Sequence, residues 1–547
     1  MNHSPATNRG ARTPACRVHT RVNARLLILS ASLLAAALWT VPAVAANCEA
    51  LAGLSLANTT ITFAKSVPAG SFTPPNPGPN TRAIENLPAF CQVHGLSKPT
   101  DVSAIHFEVW LPVANWNGRA EVVGNGGLAG TISYPAMGAA LRNGFAAAST
   151  DTGHTASEPR VWLQDRERLI DYSYRGLHLT TVNAKAIINA YYSQQPKYAY
   201  YSGCSTGGKQ GLMEAQRFPA DFDGIIAGDA ANYWTHQMAS EVWEGVVTSS
   251  PETNLPKEKL QLLQDAALAA CDALDGATDG LVSDPMRCHF DPGKLQCQGS
   301  DSATCLTAAQ VDAVRKLYRG PVNPHTGKKV YPGFYPGGEM GWANGVVINR
   351  TKTSGVSSND FWGYALFHNP EWQFRTLDFD KDLALLDEKL GPITNATNPN
   401  LEEFRRLGHK LIYYHGAADP LIPAQNGIDY YDTVVAAQKG LERTQGFFRA
   451  FLVPGLYHCA GGPGPTAFGT SQPAPPSQVD AEHDITSSIQ RWVERGAAPD
   501  KIIATKYVDN TPSKGVVLQR PLCAYPQVAR YKGSGDMNDA ANFTCAR

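Results

Sequence analysis

Short runs of apolar residues, each closed by a glycine or asparagine turn, recur along the chain. Six of them are AEVVGNGG from Ala120, GFAAASTDTG from Gly144, KYAYYSGCSTG from Lys197, FDGIIAGDAA from Phe222, KLIYYHGAADP from Lys410 and FFRAFLVPGLYH from Phe447. Stretches with a helical pattern lie between most of these runs. Continuous apolar strands that alternate with helices are typical of a parallel sheet covered on both faces, so the pattern predicts an α/β fold.

This alternation is interrupted between about residues 231 and 406. Cys, Gly, Pro and Trp cluster here, and a helical pattern is clear only in places such as KEKLQLLQDAALAACDAL. We interpret 231–406 as an inserted lid domain. The flanking segments, 46–230 and 407–547, are predicted to form one catalytic domain.

The first 45 residues have the pattern of an export signal. Five arginines precede the apolar run LLILSASLLAAALWTVPAVAA, which ends in the small residues Ala43, Val44 and Ala45. We expect residues 1–45 to be removed and the mature protein to be secreted or periplasmic. A retained membrane anchor is the alternative, although polar residues interrupt the run and it barely reaches spanning length.

Composition narrows the classes of partner. The 547 residues are 43% hydrophobic and 17% charged, which describes a globular protein with a substantial core. A formal net charge of -1 gives no broad attraction to nucleic acid or to an anionic membrane, so we expect neither as a partner after signal removal. Ten of the 11 cysteines follow the predicted signal, and an even set in an exported protein indicates disulfides whose connectivity the sequence leaves open.

The segment from Gly203 to Gly207, GCSTG, matches the G-x-S-x-G pattern of a nucleophile turn. It follows a predicted strand and precedes KQGLMEAQRF, which is compatible with a helix, as the motif requires. Ser205 is therefore the predicted nucleophile, and the backbone N–H of Thr206 is a predicted oxyanion donor. An ordinary Gly/Ser-rich loop is the alternative.

A serine hydroxyl is a poor nucleophile unless an imidazole accepts its proton and a carboxylate supports the imidazole. Asp419 follows the strand KLIYY and His458 follows the strand FFRAFLV, which gives the chain order Ser, Asp, His of α/β-hydrolases. Taken singly, Asp419 could be a turn carboxylate and His458 a loop histidine. Together with Ser205 they predict a catalytic triad.

The glycine turn after AEVV is a candidate for the second oxyanion donor, because such enzymes place this donor after an early strand. Gly127 is our first choice and Gly126 the second. A plain hairpin turn is the alternative.

Two cysteines adjoin the predicted triad. Cys204 directly precedes Ser205, and Cys459 directly follows His458. Two such neighbours are a rare coincidence if they arise independently, so we predict that they bond to each other and hold the serine near the histidine. The alternative, a thiol nucleophile at Cys204, is disfavoured because Ser205 occupies the centre of the motif and a free exported thiol is prone to oxidation.

These motifs identify a resemblance. GCSTGG, YHGAADPLIP and LVPGLYHCAGGPG, together with CDALDGATDGLV and ARYKGSGDMNDAANF, resemble the tannase/feruloyl esterase family from about Cys48 to the C-terminus. The resemblance implies an α/β-hydrolase fold with a large inserted lid domain and the triad and oxyanion residues named above. It also implies five disulfides: Cys48–Cys91, Cys204–Cys459, Cys271–Cys288, Cys297–Cys305 and Cys523–Cys545.

CDALDGATDGLV is a candidate cation site. Asp272, Asp275 and Asp279 lie within eight residues, and clustered oxygen ligands on a flexible loop suit Ca²⁺. The spacing is not that of an EF-hand, so composition alone leaves a solvated turn as an equal alternative. The resemblance implies a structural Ca²⁺ that braces the lid, with backbone carbonyls of Ala277 and Leu281 as further ligands.

A cluster of aromatic residues gives the first indication of the substrate. Aromatic residues cluster late in the predicted lid, at Trp342, Phe361, Trp362, Tyr364, Phe367, Trp372 and Phe374. They could form a slot for an aromatic acyl group or simply the core of the lid. Trp362 and His415 are the candidates for substrate contact, and His154 is either structural or a pocket-lining residue.

The resemblance implies a secreted serine esterase for small aromatic esters, with feruloyl (hydroxycinnamoyl) esters favoured and galloyl esters next. A terephthalate monoester hydrolase is an alternative, but the family's lid arginine has no matching motif here, since neither Arg350 nor Arg375 lies in one. A peptidase is another alternative. A catalytically inactive, calcium-dependent binding module for phenolics or polysaccharide is the alternative from another class.

Overall fold

The computed structural model describes residues 47–75, 81–128, 130–346 and 357–547. The predicted signal peptide and Arg350 lie outside the described residues. Along the described parts of the chain, no helix combines the length and the apolar character needed to cross a membrane.

Most of the strands in the described residues belong to one sheet. In chain order the strands are β1 Thr59–Val67, β2 Gly70–Phe72, β3 Ile84–Leu87, β4 Phe90–Ser97, β5 Ile105–Pro112, β6 Arg119–Val123, β7 Ala146–Thr150, β8 Tyr198–Cys204, β9 Gly224–Gly228, β10 Lys410–Gly416, β11 Phe448–Val453, β12 Lys501–Tyr507, β13 Val516–Cys523, β14 Val528–Tyr531 and β15 Phe543–Ala546. Three two-stranded pairs, β2 with β3, β12 with β13 and β14 with β15, lie outside that sheet.

The large sheet has nine strands in the order β1-β4-β5-β7-β6-β8-β9-β10-β11. The pairs from β7 to β11 are all parallel, whereas β1, β4 and β5 join antiparallel at one edge. The six apolar runs predicted as strands are the six parallel strands. This mixed sheet, with helices on both faces, confirms the predicted α/β-hydrolase fold.

Helices cover both faces of the sheet. In chain order they are α1 Tyr134–Arg142, α2 Arg166–Ile170, α3 Gly176–Tyr192, α4 Thr206–Arg217, α5 Trp234–Thr248, α6 Lys257–Cys271, α7 Ala308–Arg319, α8 Ser357–Asp360, α9 Lys381–Lys389, α10 Gly391–Thr394, α11 Glu402–Arg406, α12 Gln425–Ala437, α13 Leu441–Gln445 and α14 Ile485–Arg495. Apolar residues of α3, α4 and α12 form the core on one face, and those of α1 and α14 form the core on the other.

The described residues between β9 and β10 form helices α5 to α11 and short turns. They have apolar clusters of their own, one around Trp342 and α6, and a second around Trp362. The second cluster also includes Trp162 and Tyr172, which precede β8 in the chain. A lid domain with the boundaries 231–406 stays a prediction.

Candidate active site

Ser205 lies at the sharp turn between β8 and α4. Its backbone has φ 65° and ψ -122°, a conformation that non-glycine residues rarely adopt and that suits a strained nucleophile turn. Small neighbours make the turn possible, because a Cβ atom at Gly203 would lie 2.7 Å from the backbone of Gly207, and one at Gly207 would lie 2.9 Å from the carbonyl oxygen of Asn125. The Ser205 N–H donates to the carbonyl of Gly228 over 2.9 Å.

The structure brings the three predicted triad residues together. Nε2 of His458 lies 2.8 Å from Oγ of Ser205, and Nδ1 of His458 lies 2.7 Å from Oδ2 of Asp419. Asp419 follows the end of β10 and His458 follows the end of β11, so parallel strands deliver all three side chains to one edge of the sheet. With its proton on Nδ1, His458 donates to Asp419 and accepts the hydroxyl proton of Ser205.

Asp419 is held in one orientation as an ionised carboxylate. Its Oδ1 accepts hydrogen bonds from the N–H groups of Leu421 at 2.8 Å and Ile422 at 3.0 Å. Burial raises the pKa of Asp419, but the charge of His458 and hydrogen bonds from His415 and His458 outweigh burial and hold this pKa well below its ordinary value.

His458 is also nearly buried, and burial alone lowers the pKa of its imidazole. The charge and hydrogen bond of Asp419, with a further contribution from the charge of Asp229, outweigh this effect and raise the pKa of His458 to about 9. The site therefore favours the protonated, imidazolium form of His458.

A disulfide joins Cys204 to Cys459, with the two Cα atoms 6.0 Å apart and 255 positions between them in sequence. It ties the end of β8, which directly precedes Ser205, to the loop after β11, which carries His458. The other four disulfides of the described residues are Cys48–Cys91, Cys271–Cys288, Cys297–Cys305 and Cys523–Cys545, the pairings that the resemblance implies.

Gly127 lies close to the start of α4, as an oxyanion donor should. Its φ of 56° is in the left-handed region, and its carbonyl oxygen accepts hydrogen bonds from the hydroxyls of Tyr172 at 2.8 Å and Thr206 at 2.9 Å. Among the hydrogen bonds of the described residues, none uses the N–H of Gly127 or of Thr206. Thr206 is the first residue of α4, where N–H groups have no partner within the helix.

Two further side chains anchor the loop that carries Gly127. The ring of buried His154 donates from Nε2 to the carbonyl of Leu128 at 2.7 Å, a contact that a structural histidine would make. The amide of Asn125 donates to the carbonyls of Thr131 and Thr150 at 2.6 and 2.7 Å. Sequence reasoning missed Tyr172 and Asn125 as part of the site, because no motif marks a side chain that acts only on a distant backbone carbonyl.

Residues 91–546 match the family described as tannase and feruloyl esterase. The chain belongs to this family. It is a carboxylic ester hydrolase of the feruloyl esterase and tannase type.

Relatives and solved structures in this family are similar over nearly their whole length. An uncharacterized esterase of Xanthomonas campestris is 40% identical, covering 96% of this chain and 95% of the relative. The mono(2-hydroxyethyl) terephthalate hydrolase of Piscinibacter sakaiensis is 33% identical, covering 86% of each. The crystal structure of feruloyl esterase B from Aspergillus oryzae has a TM-score of 0.85 and 30% identity, covering 91% of this chain and 99% of that one.

The two candidates for substrate contact are both placed away from any open surface of this esterase. Trp362 is completely buried, stacks on Phe367 and Trp372, and donates its indole N–H to the carbonyl of Met238 at 3.2 Å. His415 is also completely buried, with Nε2 3.3 Å from Oδ2 of Asp419. In this structure neither presents a surface to a substrate, because each is enclosed by protein atoms.

Most of the other aromatic residues of the predicted lid are buried as well. Trp342, Phe361, Trp372 and Phe374 are buried, and only Tyr364 and Phe367 of the set are partly exposed. The aromatic cluster is therefore mainly core. Arg375 donates to the hydroxyl of Ser249 over 2.8 Å and lies over the ring of Phe374.

The aspartates of CDALDGATDGLV lie on the segment that directly follows α6. Asp272 accepts from the N–H groups of Asp279 and Gly280 at 3.1 and 2.9 Å, and Asp275 accepts from the N–H of Ala277 at 2.9 Å. Asp279 accepts from the N–H of Leu281 at 3.2 Å and pairs with the buried guanidinium of Arg520.

Three carboxylates are chemically suited to a hard cation, but in the described residues these aspartates are not among the groups of side chains whose ligand atoms lie within 4.8 Å of one another. Burial raises the pKa of Asp275, and Oδ2 of Asp275 is buried without a hydrogen-bond partner. Burial likewise raises the pKa of Asp279 to about 6, although Arg520 opposes this. A carboxylate oxygen left without a partner in a buried site is costly unless a proton or a cation satisfies it.

Proposed function

We propose that this enzyme is a serine esterase in which Ser205 is the nucleophile, His458 the general base and then acid, and Asp419 the residue that orients the imidazole. The observation that supports this most directly is the continuous chain of short contacts from Oγ of Ser205 through the ring of His458 to the carboxylate of Asp419. The strained turn at Ser205 adds to it, because such a turn exposes the hydroxyl at the end of the strand.

In the first half of the reaction, Oγ of Ser205 attacks the carbonyl carbon of the ester while Nε2 of His458 takes the hydroxyl proton. The carbonyl oxygen becomes an oxyanion that the N–H groups of Gly127 and Thr206 stabilise. When the tetrahedral intermediate collapses, the bond to the alcohol breaks and His458 returns the proton to the leaving oxygen. The acyl group stays on Ser205.

In the second half, water attacks the acyl-enzyme and His458 accepts a proton from it. The bond to Oγ then breaks, His458 reprotonates Ser205, and the carboxylic acid leaves. No covalent change takes place at Asp419, which keeps its negative charge beside the imidazolium throughout.

For the substrate, we propose esters of aromatic acids, with feruloyl-type esters first and galloyl-type esters second. The support is the similarity to proteins named feruloyl esterase B. The relative named for a terephthalate monoester makes that substrate the second candidate function. It ranks lower because Arg375 faces Ser249 and Phe374 and lies in no motif that would assign it to a substrate carboxylate.

The test is a panel of methyl ferulate, methyl gallate and mono(2-hydroxyethyl) terephthalate. We expect the wild type to hydrolyse methyl ferulate fastest and Ser205→Ala to lose activity by several orders of magnitude. Ser193→Ala is the matched control, since Ser193 also has a positive φ of 54° but lies at the end of α3, before β8 begins. Full activity in Ser205→Ala would reject the assignment, and a preference for another ester would change the substrate class.

Covalent labelling by a fluorophosphonate separates an esterase from an inactive binding module. An activated serine should be labelled in the wild type and in Ser193→Ala, but not in Ser205→Ala. A wild type that binds phenolics and is never labelled would favour the binding module.

We also infer that the mature enzyme is exported and that its aspartate loop holds a structural Ca²⁺. Five disulfides in the described residues suit an oxidising compartment. Side chains of Asp272, Asp275 and Asp279 would hold the ion, which would neutralise their charges. The N-terminal residue of the purified mature protein tests export, and we expect it to lie just after Ala45.

A further inference from the structure

Asp229 is a completely buried carboxylate just after β9, and the triad does not include it. Its Oδ1 accepts a hydrogen bond from the N–H of Gly416 at 2.7 Å, and its Oδ2 accepts one from the N–H of Cys459 at 2.9 Å. Gly416 lies three residues before Asp419, and Cys459 directly follows His458. One side chain therefore connects the loop that carries Asp419 to the loop that carries His458.

The backbone at Asp229 extends this connection to the nucleophile. Its φ of 40° is in the left-handed region, and its N–H donates to the carbonyl of Tyr414 at 2.9 Å. The preceding residue, Gly228, accepts the hydrogen bond from the N–H of Ser205. A non-glycine residue is held in this region only when the surroundings fix it, so Asp229 is a constrained position where all three triad segments meet.

Asp229 also brings a second negative charge to the backbone N–H of the residue that follows His458, and this charge favours the imidazolium. Nε2 of His415 lies between two carboxylates, 3.7 Å from Oδ1 of Asp229 and 3.3 Å from Oδ2 of Asp419. Burial and the charge of Asp419 raise the pKa of Asp229 above its ordinary value, while His415, His458 and the Gly416 N–H oppose this and favour its ionised form. Charges that are buried this close interact far more strongly than charges in water.

We propose that Asp229 is a positioning residue of this esterase, which fixes the loops of Asp419 and His458 and whose charge stabilises the imidazolium of His458. The proposal rests on the proposed function, because it takes His458 as the general base. The charged and titratable groups that interact with this pair include His415, Asp419 and, on α5, Glu241, which also favours the charged form of His458. The phenols of Tyr413 and Tyr414 on β10 interact with Asp229 as well.

Asp229→Asn tests the proposal, because it preserves size and removes both the charge and one of the two acceptors. The readout is the pH titration of the His458 ring signal by NMR, assigned by its absence in His458→Gln. We expect the midpoint to fall by on the order of one pH unit. We also expect kcat for p-nitrophenyl acetate to fall on the order of 10- to 100-fold with little change in KM.

Asp223→Asn is the matched control. Asp223 lies at the opposite end of β9 and also accepts a backbone hydrogen bond, from the N–H of Ala199 at 2.7 Å, but it does not contact the triad. This control should leave the His458 titration and kcat unchanged. If Asp229→Asn behaves like Asp223→Asn, the proposal is wrong.

A conservative variant separates charge from geometry. Asp229→Glu keeps the charge but displaces it by one methylene, so we expect a reduced kcat with the His458 titration largely retained. If Asp229→Asn does not fold by circular dichroism, wild-type kcat in Asp229→Glu would still overturn the proposal. The NMR titration needs no ester, so a wild type that cleaves none would reject the proposed function while the titration still tests the role of Asp229.

Discussion

His458 can accept the proton of Ser205 only while its ring is neutral. Because Asp419 and Asp229 raise the pKa of His458 to about 9, we expect kcat/KM to increase with pH through neutrality and to reach half of its maximum near pH 9. The measurement is kcat/KM for a non-ionising ester between pH 5 and pH 10. A half-maximum near 6.5, the value of an unperturbed histidine, would contradict the electrostatics described above.

The contribution of His458 to the free energy of unfolding should fall with increasing pH, whereas activity should rise. The pKa of His458 is about 9 in the folded protein and about 6.5 in the unfolded chain. Protonation of His458 therefore contributes its full stabilisation below pH 6.5, and this contribution disappears as the pH rises to about 9. The His458 contribution is therefore lost over the same interval in which activity increases. Urea unfolding of the wild type and His458→Gln across this interval should show their difference in unfolding free energy diminishing with pH.

The hydroxyl of Tyr172 should matter to the rate although it touches no reacting atom. It holds the carbonyl of Gly127, and with it the oxyanion loop, so Tyr172→Phe should lower kcat about tenfold and leave KM nearly unchanged. Tyr192→Phe is the control, because the hydroxyl of Tyr192 also donates to a backbone carbonyl, that of Pro112, on an antiparallel strand of the sheet. Equal kcat in the two variants would count against this role of Tyr172.

At the scale of elements, the disulfide between β8 and the loop after β11 should have two separable effects. The sequence separation is 255 for Cys204–Cys459 and 8 for Cys297–Cys305, so the loop-entropy model gives about 5.5 kcal/mol of stability for the first bridge and about 2.5 kcal/mol for the second. We expect the double variant Cys204→Ala/Cys459→Ala to lose more unfolding free energy than Cys297→Ala/Cys305→Ala.

Activity distinguishes the two bridges more sharply than stability does. Only the Cys204–Cys459 bridge adjoins Ser205 and His458, so only its loss should reduce kcat under conditions where both variants remain folded. The measurement is kcat for methyl ferulate together with circular dichroism. A Cys204→Ala/Cys459→Ala protein that is folded and fully active would show that the loops are positioned without the bridge.

The elements that the sequence predicts well are those whose signal is local. The six parallel strands are buried on both faces and appear as continuous apolar runs, and each triad residue follows one of them. The antiparallel strands β1, β4 and β5 were missed, because polar residues interrupt them, as in IHFEVWLP for β5. Tyr172 and Asp229 act on backbone groups far away in sequence, and no spacing rule indicates such contacts.

At the scale of the whole molecule, the aspartate loop lies where the inserted segment meets the C-terminal strands. Asp279 pairs with Arg520 of β13, and Arg530 of β14 donates to the carbonyl of Leu274 and to Asp284, at 2.6 Å each. Segments far apart in sequence are therefore joined by buried charges. The carboxylates are recognisable in the sequence as a cluster. Their pairing with Arg520 and Arg530 is not, because these arginines lie more than 240 residues later in the chain.

Calcium should act on this junction rather than on catalysis. A ligand that binds only the folded state stabilises it by about 2.7 kcal/mol at a concentration of one hundred times its dissociation constant, so added Ca²⁺ should raise the melting temperature of chelator-treated enzyme. Asp275→Asn should abolish that rise, because Oδ2 of Asp275 is the buried oxygen without a partner. Asp265→Asn, an exposed carboxylate on α6, should respond like the wild type. The loop has three carboxylates and one buried guanidinium, so Ca²⁺ or bound protons must neutralise the remaining negative charge. A melting temperature that Ca²⁺ leaves unchanged would mean that Arg520 and bound protons are sufficient, and it would contradict the calcium site.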